Sequence, residues 1–375
     1  MSLHKRVIDN ETSVKSIGVI EEPTETEMGI CDMIYRDNFY SVFDWGRMPM
    51  PEGATLDNRP VAIVAAYNYE LVKQLGFPVA YLGTVDRYGE ARSLGDFGRK
   101  NEIPNTFRVK MVHRIKPDHP NKQYDYGKFK APQVKHFVLP LEFIWRTEAG
   151  PDSSFWTHIK DGDYKLSDFG LPEDLKPGDK LPFPILDHSS KYEDHDRYFS
   201  PSVARELSGL GPGQWGYLDN MRRIINHVLS TRASHIGIKR PDGKQEFLNT
   251  LELTDAAGTW HEDRFEYQTK SGIWVKVSKQ APRDLNKLLN PEWAKQCTEL
   301  KKQAEKEGFT DWRQRVTVQP KPLEAEFFKQ YNNLMYAATN AWVEWGIFPG
   351  ASKLEEACTE FHKYLEDYKG RLKKA

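Results

Sequence analysis

The segment 184–198 carries the densest set of chemically capable side chains in this sequence. A short apolar run is followed by four acidic residues, two histidines, one lysine, one arginine and two serines. Carboxylates bind Mg²⁺, cations neutralise phosphate, and hydroxyl groups orient oxygen atoms. The composition is therefore typical of a site for a nucleotide, a metal ion and a charged substrate. A solvated charged loop without a ligand is the alternative that this segment alone leaves open.

A second candidate site lies in the apolar segment 137–146, which we predict to be a buried strand. Glu142 and Arg146 are four residues apart, so their side chains lie on the same face of that strand. Burying both charges is costly unless they are paired or bind a ligand. They could form a structural ion pair, or Arg146 could hold a phosphate or carboxylate while Glu142 contacts a polar ring of the substrate. Ser153 and Ser154 follow and could supply hydroxyl groups to the same anion.

Two further segments combine acidic and basic residues at regular spacing. Asp242, Lys244 and Glu246 alternate with other residues, which places their side chains on one face of a strand. A tight hairpin with a solvated ladder is the alternative, because Asp-Gly at 242–243 is a common turn dipeptide. In 254–264, Asp255 and Arg264 flank small residues and an acidic turn. This pattern suits a metal-binding carboxylate with an anion clamp, or an ordinary glycine-containing loop.

The bulk composition limits the classes of protein to which this chain can belong. Its 375 residues allow two to three domains, and 53 basic against 54 acidic residues give a net charge of −1. This charge balance does not favour nucleic acid or an anionic membrane as a partner. The sequence contains no apolar run of the roughly 20 residues needed to span a bilayer and begins without a secretory signal. Three widely spaced cysteines predict free thiols in a reducing compartment, and we expect a cytoplasmic protein.

The elements that must position these residues alternate without a strict βαβ order. This order favours an α+β fold over a doubly wound sheet. Strands are predicted at 34–44, 79–85, 107–111 and 137–145. Helices are predicted at 61–75, 218–235, 291–306, 323–345 and 354–369. Residues 1–30 are predicted to be irregular, 147–200 to be a long loop, and 241–243 to be a turn between strands. The terminal helices could pack on the chain's own core or on another subunit, which leaves a homo-oligomer open.

At the residues singled out above, the chain resembles the phosphoribosylaminoimidazole-succinocarboxamide synthase (SAICAR synthetase) family. Segment 138–146 resembles the family strand apolar-Pro-apolar-Glu-x-apolar-apolar-x-Arg, and 189–196 resembles its Ser-Thr-Lys-x-Glu…His-Asp loop. Further matches are 242–247 to Asp-x-Lys-x-Glu-Phe, 279–283 to Lys-Gln-x-x-Arg, and 40–46 and 255–264 to other family segments. The order is kept from about residue 15 to 300, and the extra segment 300–375 resembles the longer, archaeal-type branch. His261 departs from the family pattern, which has Asp there.

The resemblance implies a two-lobed α+β fold and an ATP-dependent ligase of purine biosynthesis. Its expected lobes are an antiparallel N-terminal lobe over the nucleotide (1–115), a larger mixed α/β lobe with the ATP and substrate sites (116–305), and a helical C-terminal extension (306–375). In the implied reaction, ATP phosphorylates the carboxylate of carboxyaminoimidazole ribonucleotide (CAIR). L-Aspartate then attacks the acyl phosphate, which yields SAICAR, ADP and phosphate.

The resemblance also implies a role for each matching residue. Lys191, Asp242 and Lys244 would be catalytic. Substrate would be bound by Glu142, Arg146, Ser153, Ser154, Asp196 and Arg264. ATP would be bound by Lys15, Lys244, Glu246 and Asp255, of which Glu246 and Asp255 would also hold Mg²⁺. Phosphoryl transfer depends mainly on positioning and on charge neutralisation, which agrees with a site rich in lysine, arginine and carboxylate.

Three other functions are compatible with the same sequence. A divergent paralogue could join a different amine and carboxylate, an interpretation that His261 favours. A phosphotransferase of similar architecture would form ADP without an amine. A non-catalytic nucleotide-binding protein would bind ATP without turnover.

Overall fold

A computed structural model of the chain describes residues 3–9, 14–43, 46–98, 102–120, 123–150, 153–193 and 195–373. Within these residues the first eight strands are β1 (Arg6–Asp9), β2 (Lys15–Glu21), β3 (Gly29–Tyr35), β4 (Phe39–Phe43), β5 (Gly46–Pro49), β6 (Tyr81–Val85), β7 (Ala91–Arg92) and β8 (Thr106–Met111). Six of them form an antiparallel N-terminal sheet in the order β1-β2-β3-β8-β6-β7, while β4 and β5 form a separate hairpin. Alternate residues of β2, β3 and β8 present one apolar face of this sheet.

A second antiparallel sheet forms the centre of the molecule. Its strands are β9 (Leu141–Arg146), β10 (Ile185–Ser190), β11 (Ile238–Phe247), β12 (Leu253–Thr254), β13 (Arg264–Gln268) and β14 (Trp274–Lys276). They are ordered β10-β9-β11-β13-β14, with β12 paired to β11. The register sets Glu142 opposite Ser189 and Arg146 opposite Asp242. Because side chains alternate between the two faces of a strand, Glu142, Arg146 and Lys244 share one face, which we call the front face.

Helices cover the back of the central sheet and pack on the apolar face of the N-terminal sheet. They are α1 (Arg59–Gln74), α2 (Leu94–Gly98), α3 (Gly127–Lys130), α4 (Ser154–Asp161), α5 (Pro201–Ser208), α6 (Pro212–His235), α7 (Gln280–Leu289), α8 (Pro291–Glu307), α9 (Ala325–Val343) and α10 (Leu354–Leu372). Helix α6 packs on β11 through a buried stripe that includes Leu218, Met221, Ile225 and Leu229. None of the helices within the described ranges combines the length and the apolarity required of a bilayer-crossing segment.

The two C-terminal helices pack on the chain's own core. The Trp342 indole N–H of α9 donates to Asn68 of α1 at 2.9 Å, and the Trp260 indole N–H donates to Thr339 of α9 at the same distance. The rings of Phe327 and Phe361 join α9 to α10. These residues belong to one continuous hydrophobic core that also includes the N-terminal sheet. The three cysteines are buried and free, as predicted.

The prediction of an α+β fold is confirmed, and all five predicted helices are present with slightly different ends. Four local predictions are wrong. Residues 1–30 contain β1 and β2, the predicted strand 34–44 is interrupted after Tyr35, and the predicted loop 147–200 contains α4 and β10. The predicted turn at 241–243 lies inside β11, where the Asp-Gly pair continues the strand.

Candidate active site

A cavity of about 560 Å³ lies between the N-terminal sheet and the front face of the central sheet. The wall on the N-terminal side is apolar, and its side chains include Ile17, Cys31, Met33, Val109 and Met111. The opposite wall is formed mainly by charged side chains. This volume is typical of small-molecule sites. An apolar wall facing a charged one allows water to be excluded around the charges.

Four lysines and four carboxylates are connected along the charged wall. This lysine–carboxylate network consists of Lys15, Lys191, Lys244, Lys279, Glu142, Glu246, Asp255 and Glu262. At its centre, the Lys244 ammonium lies 2.8 Å from Glu142, 3.2 Å from Glu262 and 3.5 Å from Glu246. One cation is therefore shared among three carboxylates.

The remaining ion pairs extend the network across the cavity. Lys191 pairs with Glu246, and Lys15 pairs with Asp255. The Lys15 ammonium also lies 3.7 Å from Glu262. Because Lys15 begins β2 of the N-terminal sheet, these contacts join the two sheets through charged groups rather than through apolar packing alone.

The backbone at Asp255 is held in an uncommon conformation. Its φ of 61° lies in the left-handed region, which Asp tolerates better than most residues. The buried hydroxyl group of Tyr69 donates a hydrogen bond to the carbonyl oxygen of Asp255. Helix α1 thus fixes the residue whose carboxylate reaches Lys15.

The pKa values of Glu262 and Lys15 keep these two members of the network charged. Burial alone would raise the pKa of Glu262, but Lys244 and Lys279 hold it well below its usual value. Burial would likewise lower the pKa of Lys15, but Asp255 raises it. Both groups are therefore ionised at neutral pH. Glu262 and Lys15 thus present fixed charges to a ligand, whereas burial raises the pKa values of Glu142 and Asp255.

A second charged region, the arginine pole, consists of Arg146, Asp187, Asp242 and Arg264. Arg146 donates through Nε to Asp187 at 2.9 Å, and its Nη1 lies 3.7 Å from Asp242. Arg264 donates to the same oxygen of Asp242. The Tyr198 hydroxyl lies 3.5 Å from Nη2 of Arg146. Arg146 is buried while the Arg264 side chain is 57% exposed, so the pole offers a fixed and an open guanidinium to an anion.

All but one of the predicted site residues line this cavity. They are Lys15, Glu142, Arg146, Ser154, Lys191, Asp196, Asp242, Lys244, Glu246, Asp255 and Arg264. Ser153 does not line it. The Ser153 hydroxyl caps α4 by accepting a hydrogen bond from the backbone N–H of Phe155 at 3.4 Å. This placement does not support a substrate-binding role for Ser153, which stays a prediction. Asp44, Trp45, Asp152 and Asp194, which belong to the segments singled out from the sequence, lie outside the described residues.

The sequence analysis did not assign a role to Glu262 or Asp187. Glu262 bridges three lysines, and Asp187 orients Arg146. The only available signal was their position, since each lies within a segment already chosen for its charged residues. His261 also lines the cavity, and burial followed by the charge of Lys279 lowers its pKa to about 3. The imidazole is therefore neutral where the family pattern has a carboxylate.

The donor types on the charged wall fit Mg²⁺ bound together with a nucleotide. Across the described ranges, no group of three or more His, Cys, Asp or Glu side chains converges as a complete metal site. Mg²⁺ does not require one, because it is usually held by one or two carboxylates together with phosphate oxygens and water. Glu246 and Asp255 supply hard oxygen donors on the cavity wall.

Comparisons with known proteins agree on one family. A model of the SAICAR synthetase family matches residues 96–300. An Archaeoglobus fulgidus protein, provisionally named phosphoribosylaminoimidazole-succinocarboxamide synthase, is 34% identical over 358 residues, which cover 94% of this chain and 99% of that protein. The Thermoplasma acidophilum phosphoribosylaminoimidazole-succinocarboxamide synthase is 30% identical over 168 residues, 43% of this chain and 56% of that protein.

Two solved structures share the fold at low sequence identity. A SAICAR synthase structure superposes with a TM-score of 0.54 at 16% identity and covers 90% of this chain and 94% of its own. SAICAR synthase from Saccharomyces cerevisiae in complex with SAICAR has a TM-score of 0.54 at 15% identity, with coverage of 92% and 98%. With the family match and the full-length relative, these findings lead to one conclusion: the chain belongs to the SAICAR synthetase family.

Proposed function

We propose that the protein is an ATP-dependent ligase of purine biosynthesis that joins L-aspartate to CAIR and forms SAICAR, ADP and phosphate. The observation that carries this proposal is the joining of the lysine–carboxylate network and the arginine pole in one cavity. Two phosphorylated molecules must meet at the reaction, and the cavity has a separate cationic region for each. Family membership supports the same reaction.

The lysine–carboxylate network is the proposed site of the nucleotide phosphates. Lys15 and Lys244 neutralise phosphate oxygens, and Lys191 approaches the phosphoryl group in transfer. Glu246 and Asp255 would hold Mg²⁺, which supplies additional neutralisation of phosphate charge when it is bound. Each carboxylate would then exchange a lysine partner for the metal, and each lysine would exchange a carboxylate for phosphate. Ligand binding would thus replace existing ion pairs instead of burying new charge.

The arginine pole is the proposed site of the ribonucleotide phosphate. Arg146 is held in place by Asp187 and the open guanidinium of Arg264 closes on the anion, while Ser154 lies beside them on the cavity wall. Glu142, Asp196 and Asp242 also line the cavity. The carboxylate of CAIR would meet the γ-phosphate between the two charged regions.

The chemistry then requires positioning and charge neutralisation more than a protein nucleophile. A carboxylate oxygen of CAIR bonds to the γ-phosphorus while the bond to ADP breaks, and an acyl phosphate forms. The neutral amine of aspartate bonds to the acyl carbon, the bond to phosphate breaks, and the departing phosphate carries away the amine proton. The apolar wall of the N-terminal sheet keeps water from the acyl phosphate.

A single assay with omissions tests the proposal and separates its alternatives. The protein is mixed with Mg-ATP, CAIR and L-aspartate, each is omitted in turn, and ADP and SAICAR are quantified. We expect SAICAR only in the complete mixture. If ADP forms with CAIR at the same rate whether or not an amine is present, the protein is a phosphotransferase that uses CAIR as the phosphoryl acceptor. Product only with another amino acid would indicate a paralogue, and nucleotide binding without turnover would indicate a non-catalytic protein.

A further inference from the structure

In the connection between the two sheets, the described residues 112–120 and 123–140 include buried aromatic side chains. The connection runs from the end of β8 to the start of β9 and includes α3. Tyr126 and Phe129 are buried at 4% and 2% exposure. Helix α3 lies directly on the end of α5, because a Cβ atom added at Gly209 would lie 2.1 Å from the carbonyl oxygen of Phe129. Gly209 also has a φ of 74°, so glycine is required there on two grounds. This connection is therefore fixed against the central sheet.

The buried hydroxyl of Tyr126 reaches a carboxylate outside the connection. It donates to Oε1 of Glu193 at 2.6 Å. Arg197 donates to the same carboxylate through Nη2 at 2.7 Å and through Nε at 2.9 Å. Glu193 is itself 6% exposed. Burial, followed by the charge of Glu193, raises the pKa of Tyr126, so the hydroxyl keeps its proton and remains a donor.

Glu193 belongs to the loop 191–197, which carries three residues of the cavity wall, Lys191, Tyr192 and Asp196. The base of this loop is closed by backbone contacts: the Ser190 N–H donates to the Arg197 carbonyl at 2.8 Å, and the Lys191 N–H donates to the carbonyl of Pro140 at 3.1 Å. These contacts fix where the loop begins and ends. The Tyr126 bond differs from them because it ties a side chain within the loop to the connection between the sheets.

We propose that Tyr126 is a positioning residue for the ligase reaction: by holding Glu193, it fixes the loop that presents Lys191 to the transferring phosphate. This inference rests on the proposed function. Phosphoryl transfer depends on cations placed within a fraction of an ångström, and lysine has four rotatable bonds with which to drift. Fixing the backbone two residues from Lys191 leaves fewer positions open to its ammonium. The connection between the sheets is thereby part of the site, and its Val112, Arg114 and Val138 also line the cavity.

The test compares Tyr126→Phe with a matched control, Tyr364→Phe. Each variant removes one hydroxyl that donates to a glutamate, and the Tyr364 bond to Glu324 is 2.7 Å long and remote from the cavity. We expect Tyr126→Phe to lower kcat about tenfold, as for one lost hydrogen bond to a charged group, and Tyr364→Phe to leave kcat within about twofold of wild type. Equal kcat values in the two variants would overturn the inference.

Coupling to Lys191 separates positioning from general destabilisation. In a Lys191→Gln background, which has no ammonium to position, Tyr126→Phe should cause no further loss of residual turnover. A full, independent tenfold loss in that background would overturn the role assigned to Tyr126.

Amide hydrogen exchange tests the same contact without any turnover. We expect the 191–197 amides to exchange about tenfold faster in Tyr126→Phe than in wild type and to be unchanged in Tyr364→Phe. Unchanged exchange in both variants would contradict the inference even if the wild-type protein made SAICAR. Conversely, a wild-type protein that forms no SAICAR would contradict the proposed function. The exchange rates would still show whether Tyr126 holds the loop.

Discussion

The two faces of the central sheet carry charged residues for different purposes. On β11, Lys244 points to the front face and is shared among three carboxylates of the cavity wall. Arg240 lies on the back of the same strand, because the strand register shifts between Lys239 and Asp242. It pairs with Asp263 at 2.5 Å, and both side chains are 0% exposed. Two cations four positions apart on one strand therefore differ: Lys244 is available to a ligand, and Arg240 is enclosed beneath α6.

The back-face pair has dedicated partners and no room for more. Arg240 also donates to Asn226 of α6 at 2.8 Å, and Asn226 donates to Gln245 at 2.9 Å. Gly243 leaves the space that this arrangement needs, because a Cβ there would lie 2.0 Å from Nη2 of Arg240. Fully satisfied buried charges specify how elements pack. Shared charges on a cavity wall can instead exchange partners when a ligand binds.

The largest expected effect comes from removing the Lys244 ammonium group from the front face. We expect Lys244→Met to lower turnover about 10⁴-fold at saturating substrates, because one cation in contact with a transferring phosphoryl group contributes on this scale. The free energy of unfolding should fall by less than about 1.5 kcal/mol, because Lys191 still pairs with Glu246 and Lys15 with Glu262, and Glu142 can take up a proton once its partner is lost. Steady-state kinetics and urea unfolding measure the two quantities. Near-normal turnover would remove Lys244 from the site.

The matched change on the back face should reverse this pattern. We expect Arg240→Met to lower the free energy of unfolding by about 3–5 kcal/mol, since the Asp263 carboxylate would remain buried without its partner. Turnover per folded molecule should stay within about tenfold of wild type, because the Arg240 side chain does not line the cavity. The same urea and kinetic measurements apply. If Arg240→Met lowered the free energy of unfolding no more than Lys244→Met does, the proposed difference between the two faces would be contradicted.

The front face was predictable from sequence because strand periodicity is local. Asp242, Lys244 and Glu246 share a face whenever the segment is a strand, and Glu142 with Arg146 follows the same rule. Their meeting in one cavity depends on strand order, which no local pattern contains. For that step the resemblance to a family was required.

The errors arose where tertiary contacts override local preference. Asp-Gly at 242–243 is a common turn dipeptide, but here Gly243 is needed for the close approach of Arg240 within a continuous strand. Strand β10 reads Ile-Leu-Asp-His-Ser-Ser and lacks apolar alternation, because Asp187 faces the arginine pole while His188 faces a partly polar layer under α6. When polar residues are buried on both faces of a strand, the sequence shows no alternation of apolar and polar residues from which the strand could be predicted.

The arginine pole contains one open and one enclosed guanidinium, which should respond differently to substitution. We expect Arg264→Ala to raise the KM for CAIR about 10- to 100-fold with little change in kcat, the effect of losing one charge-assisted contact to a phosphate. Arg146→Ala should do the same and also lower the free energy of unfolding, because the fully buried Asp187 would lose its partner. Kinetics with varied CAIR and urea unfolding separate the two. Equal stability losses would contradict the difference in burial.

The smallest expected effect concerns two neutral histidines, one on each side of the sheet. Burial and then Lys279 lower the pKa of His261, which lines the cavity, to about 3, and burial and then Arg222 lower the pKa of His188 on the back face. For both, only the unfolded chain binds a proton as the pH falls below 6.5. Their contribution to stability is therefore complete above that pH and is lost on acidification, with a slope of about 1.4 kcal/mol per pH unit for each group.

Replacing His261 by Asn should remove one such slope from the pH dependence of the unfolding free energy and leave that of His188. A bound nucleotide should change the pKa of only one of the two histidines. Phosphate charge entering the cavity favours the imidazolium of His261, whereas His188 lies behind the sheet, so only the His261 resonance should begin to titrate at a higher pH in NMR spectra of the nucleotide complex. A His261 resonance that titrates near pH 6.5 in the free protein, identified by its loss in His261→Asn, would contradict the enclosed position beside Lys279 and, with it, the assignment of this wall to anionic ligands.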